Sequence, residues 1–157
     1  MAAKEFKKKE EKEYTPDEIL AKLEHYCAYQ ERSPKEVRQK LSELGAYAEA
    51  SELIYTILLG DNYLNEERFA MAFAGGKFRV KHWGRHKIRM ALRKHGIGNA
   101  LIEKALSEID PDQYEATLRR LLEAKRAQVE GDPRARQKIL NYMLQAGYEQ
   151  DLVFSYL

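Results

Sequence analysis

Apolar residues along this chain fall three and four positions apart, the spacing of one buried helix face rather than the alternation of a strand. Ile19, Leu20, Leu23, Tyr26 and Cys27 form one stripe, and Val37, Leu41 and Leu44 a facing one. Phe69, Phe73 and Phe78 are matched to Ile88, Ala91 and Leu92, and Tyr114, Leu118, Leu121, Leu122 and Val129 to Ile139, Leu140 and Met143. The pattern also repeats on a longer scale. Val37, Leu41 and Gly45 return as Ile88, Leu92 and Gly96, and again as Ile139, Met143 and Gly147, with steps of 51 residues and no gap. A period of this length is the mark of a serial repeat architecture, in which each unit completes its core against a neighbour.

Start and stop signals divide the stripes into helices. All four prolines follow a capping residue, in the pairs Thr15-Pro16, Ser33-Pro34, Asp110-Pro111 and Asp132-Pro133. Proline at the first helical position loses no hydrogen bond, and the side chain before it accepts from the open N–H groups. Glu18, Glu36 and Gln113 stand three residues after their caps, which predicts three capping boxes. Asn65, followed by Glu66 and Glu67, is a further start, with acids facing the positive helix end. Gly45, Gly60, Gly96 and Gly147 end apolar-periodic runs, as left-handed closing residues do.

These signals predict nine helices, at about 16–31, 34–44, 48–59, 65–80, 84–95, 98–109, 111–130, 134–146 and 149–156. The expected fold is all-α: three tandem three-helix repeats over 14–60, 61–110 and 111–157, after a disordered charged tail over 1–13. Gly75-Gly76 interrupts the fourth helix and predicts a kink, or else a close approach to its backbone.

Composition changes the picture in one respect. The net charge is only +2, but no acid lies between Glu67 and Glu103, a window holding nine Lys/Arg and three of the four His. The rest of the chain has 18 Lys/Arg against 25 Asp/Glu, so a basic centre sits between acidic flanks. No apolar stretch is long enough to span a bilayer, the Lys/Glu-rich start has no signal-peptide core, and the single cysteine allows no intrachain disulfide. A cytoplasmic protein without membrane association is expected.

The basic centre is the main candidate site: Lys77, Arg79, Lys81, Trp83, Arg85, Lys87, Arg89, Arg93 and Lys94. Arg85, Arg89 and Arg93 stack at i, i+4, i+8 with no neutralising acid nearby along the chain, so phosphates or an acidic protein groove would relieve their repulsion. Trp83 and Phe78 among these cations suit stacking on bases or an apolar contact. Arg119, Arg120, Arg126, Arg134, Arg136 and Lys138 form a weaker patch with interleaved acids. Catalysis finds no support. His82 and His86 have metal-pair spacing but no further ligand to complete a shell, Cys27 lies on an apolar stripe, and Gly96-Ile97-Gly98 follows a helix rather than a strand. No catalytic residue, metal or cofactor is expected.

The chain resembles the RecX family of bacterial regulators of the RecA recombinase. The resemblance lies in Arg32-Ser33-Pro34-Lys35-Glu36-Val37-Arg38-Gln39-Lys40-Leu41 ending at Gly45, and in Leu64 to Ala70 with Gly84 to Ile97. It continues from Asp132-Pro133-Arg134-Ala135-Arg136 through Leu144 to Gly147-Tyr148. It extends over nearly everything after the tail and departs at Gly75-Gly76. It implies an elongated, curved monomer of tandem three-helix repeats that takes part in the control of recombination, DNA repair and the SOS response. Such a protein lies in the groove of the RecA filament on single-stranded DNA, bridges neighbouring subunits and damps ATP turnover and strand exchange. The resemblance also implies direct DNA binding by some members. A central basic helix reading DNA phosphates directly is the alternative that charge alone suggests.

Overall fold

The computed structural model describes residues 13–157; the expected charged tail lies, apart from Glu13, outside the described residues. These contain nine α-helices and no strand. They are α1 (Pro16–Tyr29), α2 (Pro34–Glu43), α3 (Ala48–Gly60), α4 (Glu66–Lys81), α5 (Arg85–Lys94), α6 (Asn99–Ser107), α7 (Pro111–Gln128), α8 (Ala135–Gln145) and α9 (Gln150–Phe154). Helices in substantial contact lie within the triplets α1–α3, α4–α6 and α7–α9, which are the three tandem repeats.

The 51-residue signature marks equivalent places in each triplet. Val37, Ile88 and Ile139 are buried, as are Leu41, Leu92 and Met143. Gly45, Gly96 and Gly147 each take positive φ (77°, 81° and 99°) just after the middle helix, the closing role their sequence positions imply. No helix among the described residues is long and apolar enough to cross a membrane.

Local chemistry accounts for most helix ends. Thr15–Glu18 and Ser33–Glu36 form complete capping boxes. Asp110 instead accepts from the N–H groups of both Asp112 and Gln113, so the expected reciprocal box with Gln113 is absent. Asp132 does not cap α8. Its carboxylate accepts from the Arg134 N–H two residues on, an Asx-type turn, and pairs with Lys138, so the helix begins only at Ala135. Gly75-Gly76 does not end the helix, since α4 runs unbroken from Glu66 to Lys81. The close approach there comes from the helix itself: the Arg79 guanidinium folds over Gly75, where a Cβ would stand 2.8 Å from it.

The apolar side chains form two cores. Ile19, Leu23, Cys27, Val37, Leu41, Ile54, Leu58 and Leu64 make the core of the first repeat. The second and third repeats share one core, running from Phe69, Phe78, Ile88 and Leu92 to Tyr114, Leu118, Met143 and Val153. Cys27 is a buried free cysteine in the first core, and burial pushes its thiol up to about 11.

Successive repeats meet at equivalent points. The N-cap of one middle helix touches the C-terminal end of the next: Ser33 meets His95, and 51 residues on, Gly84 meets Ala146 and Gly147. At the first joint, Ser33 Oγ lies 3.0 Å from His95 Nδ1, Glu36 is 3.6 Å from the same nitrogen, and Glu31 pairs with Arg68. At the second, the Gly84 N–H donates to the Ala146 carbonyl (2.8 Å) and the His86 N–H to that of Gly147 (2.9 Å). A Cβ on Gly84 would fall 2.3 Å from the Gly147 carbonyl carbon, so only glycine permits this contact.

Candidate partner-binding face

The basic segment divides into two sets with different surroundings, because α5 buries Ile88 and Leu92 and turns its remaining residues to either side of that seam. Arg85 and Arg89 lie on one side. The Arg85 guanidinium is 3.2 Å from the Glu149 carboxylate and stacks 3.8 Å above the Tyr114 ring. The Tyr114 hydroxyl accepts from the Arg85 N–H and donates to Glu149 at 2.7 Å. Burial pushes this hydroxyl well above the ordinary phenol range, with the Glu149 carboxylate adding to the shift, so it stays protonated and able to donate.

Arg89 binds Glu103 (2.8 Å) and also lies 2.9 Å from His86 Nδ1. The pair holds the Glu103 carboxyl below its usual range. The unpaired arginine row expected from sequence is therefore corrected at two of its three members. Folding brings carboxylates to them from 64 and 14 residues away. The Arg89–Glu103 pair also repeats in the fold, since Arg38 and Glu52, each 51 residues earlier, pair at 2.9 Å. In the third repeat the two positions hold Leu140 and Phe154. Arg89 thus occupies a place that the first repeat uses to tie its middle helix to its closing helix.

The other side of α5 differs. Lys87 and Lys94 are exposed there beside Met90, which is 60% exposed, and face α8. Two recesses of about 330 Å³ each lie along this seam and share Trp83, Lys87 and Gln145. Lys94, Met90 and Leu144 line one, and Lys81, Leu121 and Tyr142 the other; no carboxylate lines either. Trp83 packs edge-on to Phe73, with the ammonium groups of Lys87 at 4.6 Å and Lys77 at 4.9 Å from its ring. Such cation–aromatic contacts hold lysines in place without neutralising them. Arg93 is exposed on the outer rim, 3.4 Å from Asn99, and Arg79 lies apart over Gly75. Lys81, Trp83, Lys87 and Lys94 therefore gather along one partly apolar seam that no carboxylate lines, with Lys77 at the Trp83 ring, whereas Arg79, Arg85 and Arg89 do not line it.

Residues 65–106, which are α4 to α6, match the family model described as RecX, second three-helix domain. Regulatory protein RecX of Lactobacillus johnsonii is 31% identical over 129 residues, covering 81% of this chain and 48% of that protein. Regulatory protein RecX of Clostridium perfringens is 31% identical over 124 residues, 76% of this chain and 58% of that protein. Regulatory protein RecX of Salmonella paratyphi A is 27% identical over 143 residues, 85% of this chain and 86% of that protein. The crystal structure of RecX from Lactobacillus salivarius superposes with a TM-score of 0.79 over 90% of this chain and 93% of that one, at 22% identity. The chain belongs to the RecX family. It spans about half the length of the first of these curated relatives.

The weaker patch of this RecX-family chain is dispersed. Arg126 pairs with Glu123 and donates to the Tyr156 carbonyl, and Lys138 is held by Asp132. Arg119 lies 5.2 Å from the Tyr156 ring, while Arg120, Arg134 and Arg136 are exposed. Among the described residues no group of three or more His, Cys, Asp or Glu could hold a metal ion.

Sequence reasoning missed a second cationic cluster. In the first repeat, Lys22, His25, Tyr26, Tyr29, Arg32 and Lys40 line an open cavity of about 570 Å³ with Ala21. Its signal was legible as the spacing 22, 25, 26, 29 along α1, but Tyr26 had been assigned to the apolar stripe.

Proposed function

We propose that this chain is a non-enzymatic regulator of homologous recombination and DNA repair that binds along the RecA filament on single-stranded DNA and inhibits RecA. It acts as a cytoplasmic monomer, needs no cofactor, and contacts the filament through the seam between α5 and α8. The observation that carries this reading is the segregation of charge on α5. Arg85 and Arg89 are committed to Glu149 and Glu103, while Lys81, Lys87 and Lys94 line a seam without carboxylates beside Trp83, Met90 and Leu144. Positive charge interleaved with exposed apolar surface suits a protein groove bordered by acids and phosphates. A serial array suits a periodic partner, because many modest contacts sum along its length.

The test is titration of the chain into RecA assembled on single-stranded DNA, following ATP turnover and strand exchange. Progressive inhibition is expected, and the double change Lys87→Glu with Lys94→Glu should raise the half-inhibitory concentration by about ten-fold or more. The absence of inhibition at every ratio would remove the proposal. Direct DNA binding by the central helix is the alternative. It requires tight binding to bare DNA that falls steeply with salt and is lost in the same double variant. The engagement of Arg85 and Arg89 within the fold weighs against it.

A further inference from the structure

Both joints between repeats join the start of one middle helix to the end of the next. Ser33 meets the C-terminal end of α5, and Gly84 that of α8. The equivalent end of α2, at Leu44 and Gly45, meets no middle-helix start among the described residues. It borders an open cavity of about 760 Å³ instead, whose walls include Glu13, Tyr14, Glu43 and Tyr47 and hold no Lys, Arg or His. Glu43 has only long contacts within α2, to Lys40 at 3.8 Å and to Gln39 at 3.3 Å, and Tyr47 is 64% exposed. At the other end of the array, Ala135 stands 51 residues after Gly84, with Arg134 and Arg136 exposed on either side of it.

We infer that the start of α8 in one copy of this chain docks into the cavity at the end of α2 in a second copy, continuing the array head to tail. The second joint shows how the two surfaces match. There Trp83 and Gln145 line the same two recesses, and Arg85 pairs with Glu149 at 3.2 Å. One period after Trp83 and Arg85 stand Arg134 and Arg136, and two periods before Gln145 and Glu149 stand Glu43 and Tyr47. A joint of the same register between copies therefore sets Arg134 against Glu43 and the Arg136 guanidinium against the Tyr47 ring. Ala135 takes the place that Ser33 fills in the first joint, where a Cβ is accommodated, and a Cβ on Gly45 would have nothing within 4 Å, so no glycine clasp is needed. The contact joins two different surfaces and does not close, so copies in line form an open row. One joint of exposed charges is weak, so the free chain stays monomeric when dilute and docks where copies are held side by side. What holds them there is the filament of the proposed function, on which this part of the inference rests.

The experiment is disulfide trapping with the full chain, whose own Cys27 is buried. A chain carrying Glu43→Cys is mixed with one carrying Arg134→Cys under mild oxidation, first concentrated without RecA and then dilute on RecA filaments. In both settings the mixture should cross-link about ten-fold faster than either variant by itself. Sedimentation of the concentrated chain without RecA gives a second readout. Arg134→Glu should abolish the rise in mass with concentration, and Arg134→Glu with Glu43→Arg in one chain should restore it. Both side chains are exposed, so these variants should keep the wild-type thermal midpoint. Trapping in the concentrated chain but not on filaments would count against the filament reading and leave the joint supported. Any of three results overturns the inference: a concentrated mixture that cross-links no faster than the single variants, a charge swap that restores no association, or a Glu43→Cys chain that resists a maleimide when dilute, which would mean that its own residues 1–12 fill the cavity.

Discussion

The two joints between repeats occupy the same positions of the 51-residue unit and use opposite chemistry. Between the first and second repeats the contact is made by polar side chains: Ser33 and Glu36 approach His95, and Glu31 holds Arg68. One oxygen of Glu31 is buried there with no hydrogen-bond partner among the described residues. Between the second and third repeats the backbones themselves touch at Gly84 and Gly147. Phe78, Tyr114 and Tyr148 stack behind this contact, with centroids 5.7 Å and 5.2 Å apart. The cores follow the joints, being separate across the first and shared across the second. One repeat geometry thus accepts a link of polar side chains or a direct backbone clasp, and the residue at the N-cap of the middle helix, Ser33 or Gly84, decides which.

The sharpest way to break the contrast is Gly84→Ala. The new Cβ would meet the Gly147 carbonyl at 2.3 Å and the Tyr148 nitrogen at 2.4 Å, and these are backbone atoms rather than flexible side-chain ends that can step aside. A loss of about 2–3 kcal/mol or more is expected in urea denaturation, with the second and third repeats no longer melting together.

The next effect is confined to alkaline pH. Burial raises the hydroxyls of Tyr114 and Tyr148 in the folded chain, so unfolding lets them ionise more easily. Their contribution is complete below the ordinary phenol pKa of about 10 and declines as pH rises above it, by up to ~1.4 kcal/mol per pH unit for each tyrosine. Urea denaturation between pH 8 and 11 should show this fall, and Tyr114→Phe should make it shallower.

The smallest change is Ser33→Ala, which removes an N-cap acceptor and the contact to His95 and should cost about 1 kcal/mol. Amide exchange should quicken in α1–α3 and leave α4–α9 unchanged. Equal quickening along the whole chain would mean that the first joint couples the repeats as tightly as the second.

The repeat, all nine helices and the buried triplets Val37/Ile88/Ile139 and Leu41/Leu92/Met143 were legible in the sequence, because each depends on local spacing. Thr15 and Ser33 were legible as box-forming caps for the same reason. The box expected at Asp110 did not close, and Asp132, expected as a simple cap, accepts instead from the nearer Arg134 N–H in the turn it forms.

The arginine row misled because proximity was judged along the chain, whereas Glu149 reaches Arg85 only once the third repeat docks. A signal for the Arg89 pair was present: Arg38 and Glu52 have the same separation as Arg89 and Glu103, one period earlier. The meeting of Gly84 with Gly147 had no such signal, because both glycines are also explained by helix ends. Lys87, Lys94 and Trp83 were found from composition, but Met90, Tyr142 and Leu144 joined them only through packing.

The burial of Cys27 has a practical corollary. Its thiol stays un-ionised near neutral pH and is shielded from reagents, so the native chain is chemically silent toward maleimides and spin labels. A cysteine introduced at an exposed position in each of two repeats would then be the only pair to take a probe. The chain thereby carries a ready background for a molecular ruler, in which the spread of inter-label distances across Ser33–His95 can be read against that across Gly84–Gly147.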